Sequence, residues 1–279
     1  MTVAEVVRAA RQRLAAVGID SAEAEASTLL EALLGVSRAD LWLRRTDTLA
    51  EAQSQTLEAW LRRREAREPL QHILGQAHFY GLTLRVTPDT LIPRPETESL
   101  VALGLQGLRG LTRPRVLDVG TGSGAVALAL KAERPDALVC ATDISPRALA
   151  VAADNAQRLG LELEVELSDL LGAPAVQAFA RRVDLLVANL PYLPESDAAW
   201  LSPEVQRDPP EALFSGPDGL AHFRRLMAQA YALLRPGAVS LFELDPRNVE
   251  AARQACALWP QATLHGDLAG RVRFLRVVR

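Results

Sequence analysis

Arg115-Val116-Leu117-Asp118-Val119-Gly120-Thr121-Gly122-Ser123-Gly124-Ala125 is the stretch whose reading decides the fold. Its short apolar run predicts a buried strand over 115–119, and the glycines that follow let the chain bend tightly into a helix over about 123–133. The same alternation repeats on either side. Further strands are predicted at 137–143, 162–167, 183–188, 238–244 and 271–278, with helices at about 146–159, 174–181, 220–234 and 247–258. Strands regularly separated by helices form βαβ units, so the reading is an α/β fold with a doubly wound, mostly parallel sheet covered by helices on both faces. Such sheets bind ligands beyond the carboxyl ends of their strands, where the winding reverses. The loops after strands one, two and four are therefore expected to hold the chemistry.

The glycine turn alone leaves the ligand open. It offers backbone N–H groups at the positive end of a helix, and Gly120, Gly122 and Ala125 also satisfy the degenerate dinucleotide pattern G-x-G-x-x-A. Asp143 ends the second strand nineteen residues past Gly124, where a carboxylate can accept hydrogen bonds from both hydroxyls of a ribose. After strand three, Ser168-Asp169-Leu170 offers a polar cap and an apolar surface for an adenine, although Ser-Asp also serves as a plain helix cap. Asp118, together with the loop after strand four, separates a sulfonium cofactor from a dinucleotide: a dinucleotide needs the helix end clear for its pyrophosphate, whereas a phosphate-free cofactor welcomes an acid near its amino-acid end.

Composition narrows the function classes. The 279 residues are 49% hydrophobic and 23% charged, with 31 basic against 34 acidic side chains. The expectation is a cytoplasmic protein, favoured as a monomer, without a membrane span or signal peptide and without a surface built to neutralise many phosphates. Two distant cysteines in apolar runs and four scattered histidines predict neither a disulfide framework nor a metal site. Lys131, mid-helix, is the only lysine, which leaves almost nothing for Schiff-base chemistry.

Before this region the chain reads as helices. Thr2-Val3-Ala4-Glu5 is a capping box opening a helix that runs to Gly18, and a second helix spans about Ser21 to Gly35. Thr48-Leu49-Ala50-Glu51 repeats the capping-box pattern and is expected to open a third, ending in Arg62-Arg63-Arg64 and Arg67. Those arginines read either as a solvated helix end complementing the dipole or as a binding patch. Residues 1–75 hold ten arginines against eleven carboxylates, so this is no basic nucleic-acid arm. From Phe79 to Val86 the pattern alternates at period two, predicting a hairpin. The expected domains are a helical domain at 1–72, a β-hairpin linker at 73–95 and the α/β domain at 96–279.

Two motifs carry a family resemblance. Asp118 to Gly124 looks like the first motif of S-adenosylmethionine-dependent methyltransferases, which implies a Rossmann-like class I methyltransferase fold. Strand four breaks into Asn189-Leu190-Pro191-Tyr192, similar to the Asn-Pro-Pro-Tyr signature of enzymes that methylate a planar NH2 group. Such a nitrogen is a poor nucleophile because its lone pair is delocalised. Two acceptors, the Asn189 side-chain oxygen and the backbone carbonyl of residue 190, would hold the NH2 and favour a pyramidal nitrogen, with Tyr192 as a flat wall. Leu190 replaces the signature's first proline and keeps that carbonyl.

Pro69 to Gly75, Phe79-Tyr80-Gly81-Leu82 and above all Leu91-Ile92-Pro93-Arg94-Pro95-Glu96-Thr97-Glu98 resemble the linker of the release-factor glutamine methyltransferases. The likeness spans roughly residues 69–279. It implies methylation of the glutamine side-chain N5 in the Gly-Gly-Gln loop of class I peptide-chain release factors, a protein partner and no direct nucleic-acid or membrane partner. It also implies that the helical domain at 1–72 is a substrate-recognition domain and the α/β domain at 96–279 a methyltransferase domain. The same resemblance assigns Asp118, Gly120, Thr121, Gly122, Ser123, Gly124, Asp143, Asp169, Leu170 and Asn189 to S-adenosyl-L-methionine. It assigns Asn189, Leu190, Pro191 and Tyr192 to catalysis and substrate, with Arg94 and Glu96 either walling the cleft or forming an interdomain ion pair. Asp208-Pro209 stands where the family has Glu-Pro, and the segment after Glu243 lacks its usual glutamine. An adenine N6-methyltransferase, a nicotinamide oxidoreductase and a noncatalytic scaffold are the competing readings.

Overall fold

The computed structural model describes residues 1–279, which divide into two compact units. The first comprises Met1–Gly75 and, from far along the chain, Ser202–Arg207; the second comprises Gln76–Leu201 and Asp208–Arg279. The hairpin expected as a linker therefore lies within the second unit, and a six-residue piece expected in the catalytic domain lies within the first.

The first unit holds α1 (Val3–Ala16), α2 (Ala22–Leu34), α3 (Arg38–Leu43), α4 (Glu51–Glu65) and α5 (Leu70–Leu74) around Leu14, Leu29, Leu30, Leu57 and Leu61. The Thr2 capping box forms: Glu5 N–H donates to Thr2 Oγ1, and the Thr2 N–H donates to Glu5 Oε2. The box expected at Thr48 does not. Thr48 pairs as an isolated bridge with Thr2, and the helix cap falls two residues later at Ala50, whose N–H donates to Gln53 Oε1.

The arginine-rich end of α4 is solvated only in part: Arg62 and Arg63 are exposed, but Arg64 and Arg67 are engaged. Arg64 is 5% exposed and donates to Glu25 at 2.6 Å and to Glu204 at 2.9 Å, while Arg67 forks onto both Glu204 oxygens at 2.6 and 2.9 Å. Arg67, backed by Arg64, holds the Glu204 carboxyl down at about 2. Arg64→Ala leaves Glu25, whose side chain is 13% exposed, without its cationic partner while Glu204 keeps Arg67, and it is expected to cost roughly 3 kcal/mol in a urea melt. Glu204→Ala is expected to cost less, because Arg64 keeps Glu25.

The second unit opens with a hairpin of β1 (Gln76–Phe79) and β2 (Leu82–Arg85), turning through Tyr80 and Gly81 at φ 48° and 77°. The elements that follow are α6 (Glu98–Gly107), β3 (Arg115–Val119), α7 (Ala125–Glu133), β4 (Leu138–Asp143), α8 (Pro146–Leu159), β5 (Glu164–Leu167) and α9 (Pro174–Ala180). They continue with β6 (Leu185–Ala188), α10 (Ala221–Leu233), β7 (Val239–Glu243), α11 (Val249–Ala255), β8 (Gln261–Gly266) and β9 (Val272–Val278). The sheet runs β5-β4-β3-β6-β7-β9-β8, parallel except at β9, which is antiparallel to both its neighbours. Strand residues alternate between two cores. Leu117, Val119 and Leu186 pack with Val176, Phe223 and Val249, while Val116, Leu185 and Val187 pack with Leu100, Val101 and Leu128. The doubly wound fold is thus present, with β8 as an additional edge strand. Winding reverses between β3 and β6, where Val119 lies level with Ala188, so the glycine loop and the Asn189 loop emerge side by side.

Candidate active site

The glycine loop is built from both ends. Gly120 and Thr121 donate their N–H groups to Thr142 O at 2.8 and 2.9 Å, and Gly122 N–H donates to Asp143 Oδ2 at 2.9 Å. Asp118 Oδ2 accepts from Thr121 Oγ1 at 2.7 Å and from Ala127 N–H at 3.2 Å, stapling the loop to the first turn of α7. Full burial pushes the Asp118 carboxyl up to about 7, against the pull of those two hydrogen bonds and with the nearby Asp143 charge adding to the rise. A ligand of net positive charge would favour its ionised form. Asn155, 1% exposed, bridges the Ser123 carbonyl to the backbone of Arg85, tying the loop to β2.

Asp143 accepts from Ser145 N–H at 2.9 Å as well, and burial raises its pKa. Its oxygens retain lone pairs for further donors. Leu170 sits at φ 53°, a left-handed backbone that a leucine adopts only under constraint; Ser168 Oγ supplies it, donating to Leu170 O at 2.8 Å. Asp169 is paired with Arg225 at 2.6 Å.

On the neighbouring strand end, Asn189 Nδ2 donates to Thr97 Oγ1 at 3.2 Å, and Asn189 Oδ1 is buried with no hydrogen-bond partner. A buried amide oxygen left unpaired is costly, so this one is poised for a donor brought by a ligand. Leu190 is 8% exposed and lies against the glycine loop, so close that a Cβ on Gly120 would stand 2.8 Å from Leu190 Cδ2. Leucine in place of the signature's proline therefore packs on the loop that only glycine leaves room for. From the other side, Asn248 Nδ2 donates to the Tyr192 carbonyl at 3.3 Å and to the Asp218 carbonyl at 2.9 Å.

One cleft joins these parts. Of the residues singled out in the sequence it is lined by Asp118, Gly120, Thr121, Gly122, Ser123, Asp143, Asp169, Leu170, Asn189, Leu190, Pro191 and Arg94. Gly124, Glu96 and Tyr192 do not line it. Gly124 is the residue before α7, packed on Leu128 and Ala152. Tyr192 is half-buried, and burial foremost, with the Glu243 charge, pushes its phenol up. Arg94 does form an ion pair, but with Asp208 rather than Glu96, and both partners belong to the second unit. Asp208 is the residue occupying the family's glutamate position, and at 2% exposure it still reaches the guanidinium. Thr97, Ser168, His222 and Arg225 also line the cleft. Sequence spacing gave no signal for the last two, which come from α10. Lys131 donates to the carbonyls of Pro135 and Ala137, a structural role. No cluster of three potential metal ligands forms, and no helix is long and apolar enough to cross a membrane.

Comparison with known proteins gives a consistent picture. Residues 5–75 match the family model described as the PrmC N-terminal domain, and residues 116–207 match one described as a methyltransferase domain. A release factor glutamine methyltransferase from Deinococcus radiodurans is 43% identical over 282 residues, covering 100% of this chain and 99% of its own. One from Cereibacter sphaeroides is 42% identical, covering 99% and 98%. Among solved structures, the T. thermophilus 16S rRNA N2 G1207 methyltransferase in complex with AdoMet and guanosine superposes with a TM-score of 0.53 at 19% identity, over 73% of this chain and 49% of that one, a likeness of fold.

Proposed function

This chain belongs to the release factor glutamine methyltransferases, and we propose that it moves a methyl group from S-adenosylmethionine to the side-chain N5 of the glutamine in the Gly-Gly-Gln loop of class I release factors, in the cytoplasm. The observation that carries the site assignment is the buried, unpartnered Asn189 Oδ1 beside the glycine loop. The residues present fit the cofactor: Gly120 and Gly122, both at positive φ, leave two lining positions of the loop without side chains, Asp143 can accept from a ribose, and Asp118 suits a cationic ligand. When bound, the sulfonium supplies an electrophilic methyl.

Everything else falls to the chain itself. Asn189 Oδ1 and the carbonyl of Leu190 would each accept one N–H of the glutamine amide, withdrawing the nitrogen lone pair from its conjugation with the carbonyl and orienting it for in-line attack. Their acceptor strength is worth most when the developing charge on nitrogen makes its N–H bonds more acidic, so the stabilisation grows toward the transition state. Loss of the amide proton can follow transfer, so no strong base is needed first. Leu190 and Pro191 provide apolar cover that excludes water from the attacking nitrogen.

Incubation with labelled S-adenosylmethionine and a release factor should label the Gly-Gly-Gln glutamine alone; equal labelling of a substrate carrying alanine there would overturn the reading. Asp143→Ala is expected to raise the KM for S-adenosylmethionine by about 10²-fold, since two charge-assisted hydrogen bonds are lost. The KM for the release factor should change little. Initial rates with each substrate varied in turn check both.

A further inference from the structure

Asn189 serves an amide NH2 only if its oxygen, and not its nitrogen, faces the substrate, and the two are nearly equal in size and shape. Something behind it must decide. Asn189 Nδ2 donates to Thr97 Oγ1, but a threonine hydroxyl can give a hydrogen bond as readily as accept one, so the Thr97 proton must itself be directed elsewhere. Thr97 is 4% exposed, and Glu243, at the end of β7 and 1% exposed, faces its hydroxyl. Neither carboxylate oxygen of Glu243 has a donor, Thr97 included, at ordinary hydrogen-bond geometry, and its one ion-pair contact is Arg273 at 3.9 Å. Yet Phe242 lies level with Ala188, so Glu243 stands at the strand end beside Asn189 and the Thr97 bonded to it, with acceptor capacity to spare.

We propose that Glu243 and Thr97 are positioning residues: the carboxylate accepts the Thr97 hydroxyl proton, Thr97 can then only accept from Asn189 Nδ2, and Asn189 Oδ1 is thereby aimed at the substrate amide. The assignment rests on the role given above to Asn189. It makes turnover depend on the ionised form of Glu243. A protonated Glu243 would donate to Thr97, and Thr97 could donate to Asn189, permitting the amide to turn its nitrogen toward the substrate's own N–H groups.

The groups around Glu243 are few. Arg273 on β9 approaches Oε1 at 3.9 Å but is held by Asp267 at 2.9 Å; Glu96 and Asp267 repel the carboxylate, and Tyr192 is close enough for its phenol to respond to the Glu243 charge. Burial foremost, with Glu96 and Asp267, raises the carboxyl to about 7 against the pull of Thr97 and Arg273. The ionised form dominates above that pH, so activity should rise as pH rises through about 7.

The test is kcat against pH between 5.5 and 9, with the whole protein, S-adenosylmethionine and a release factor. For the unaltered protein kcat should fall about tenfold per pH unit on the acid side and level off above about 8. Glu243→Gln keeps an acceptor for Thr97 but cannot titrate, so its rate should be about tenfold below the plateau and flat across the acid limb. Thr97→Val should lose about 10²-fold at every pH, and Thr97→Ser should restore most of it with the limb intact. Thermal melts confirm that each variant is folded. If the unaltered protein labels the release factor while Glu243→Gln keeps the acid limb, or Thr97→Val keeps its rate, the positioning assignment is overturned and the substrate reading stands. If the unaltered protein leaves the release factor unlabelled, the substrate reading falls and takes this assignment with it.

Discussion

Asn189→Ala is expected to reduce kcat for glutamine methylation by about 10²- to 10³-fold, the loss seen when one preorganised hydrogen-bonding group is removed from a developing charge. The site is suited to an effect of that size. Asn189 Oδ1 is buried and unpaired, and Nδ2 is anchored on Thr97, so the oxygen is held in place before the substrate arrives and costs no reorganisation during transfer. Alanine removes the acceptor and also the anchor on Thr97. The cofactor loop keeps its own bonds to Thr142, Asp118 and Asp143, so S-adenosylmethionine should bind nearly as before. Single-turnover labelling, with cofactor affinity measured by calorimetry, separates the two. A loss of cofactor affinity matching the loss of rate would move Asn189 from the acceptor amide to the cofactor.

The second large effect is expected at Gly219, just before α10. A Cβ there would stand 2.1 Å from the Tyr192 carbonyl oxygen and 2.7 Å from Asn248 Nδ2, and φ is +75°. The near atom is backbone and cannot rotate away, so Gly219→Ala must displace the loop that carries Leu190 and Tyr192. The left-handed backbone adds about 1–2 kcal/mol for any non-glycine residue. The combined cost should reach roughly 3 kcal/mol, in the range of other overpacked sites, and kcat should fall about 10²-fold if the loop shifts by about 1 Å. Gly160→Ala, at the end of α8 and away from the cleft, is the control: it shares a positive φ of 65°, but nothing lies within 4 Å of its added methyl, so it should pay the backbone term alone. Urea midpoints and kcat for the two variants, measured together, test the contrast.

Short-range pattern made the framework legible. The run from Arg115 to Ala125, the alternation of strands and helices after it, and the capping box at Thr2 are all local, and the chain folds locally as they require. Elements that lack a long periodic signal were not visible. Helices α3 and α5 span six and five residues, and β8 is an edge strand whose residues are half-exposed or exposed. Chemistry that depends on distant partners was invisible in the same way. Arg64 meets Glu204 across 140 positions and Arg94 meets Asp208 across 114, separations at which no spacing rule operates. Asn189 could be named from its motif, but the threonine behind it, 92 residues earlier, could not.

The composition of the helical unit carries a further consequence. Because Ser202–Arg207 belongs to it, the backbone passes between the two units three times, after Gly75, after Leu201 and after Arg207. A fragment ending at residue 75 would lack Glu204 and leave Arg67 without either of its carboxylate contacts. Exchange of amino-terminal domains between relatives is therefore not a single-crossover operation. A functional chimera would have to carry residues 202–207 from the same parent, and natural substitutions at Arg64, Arg67 and Glu204 are expected to be inherited as a set.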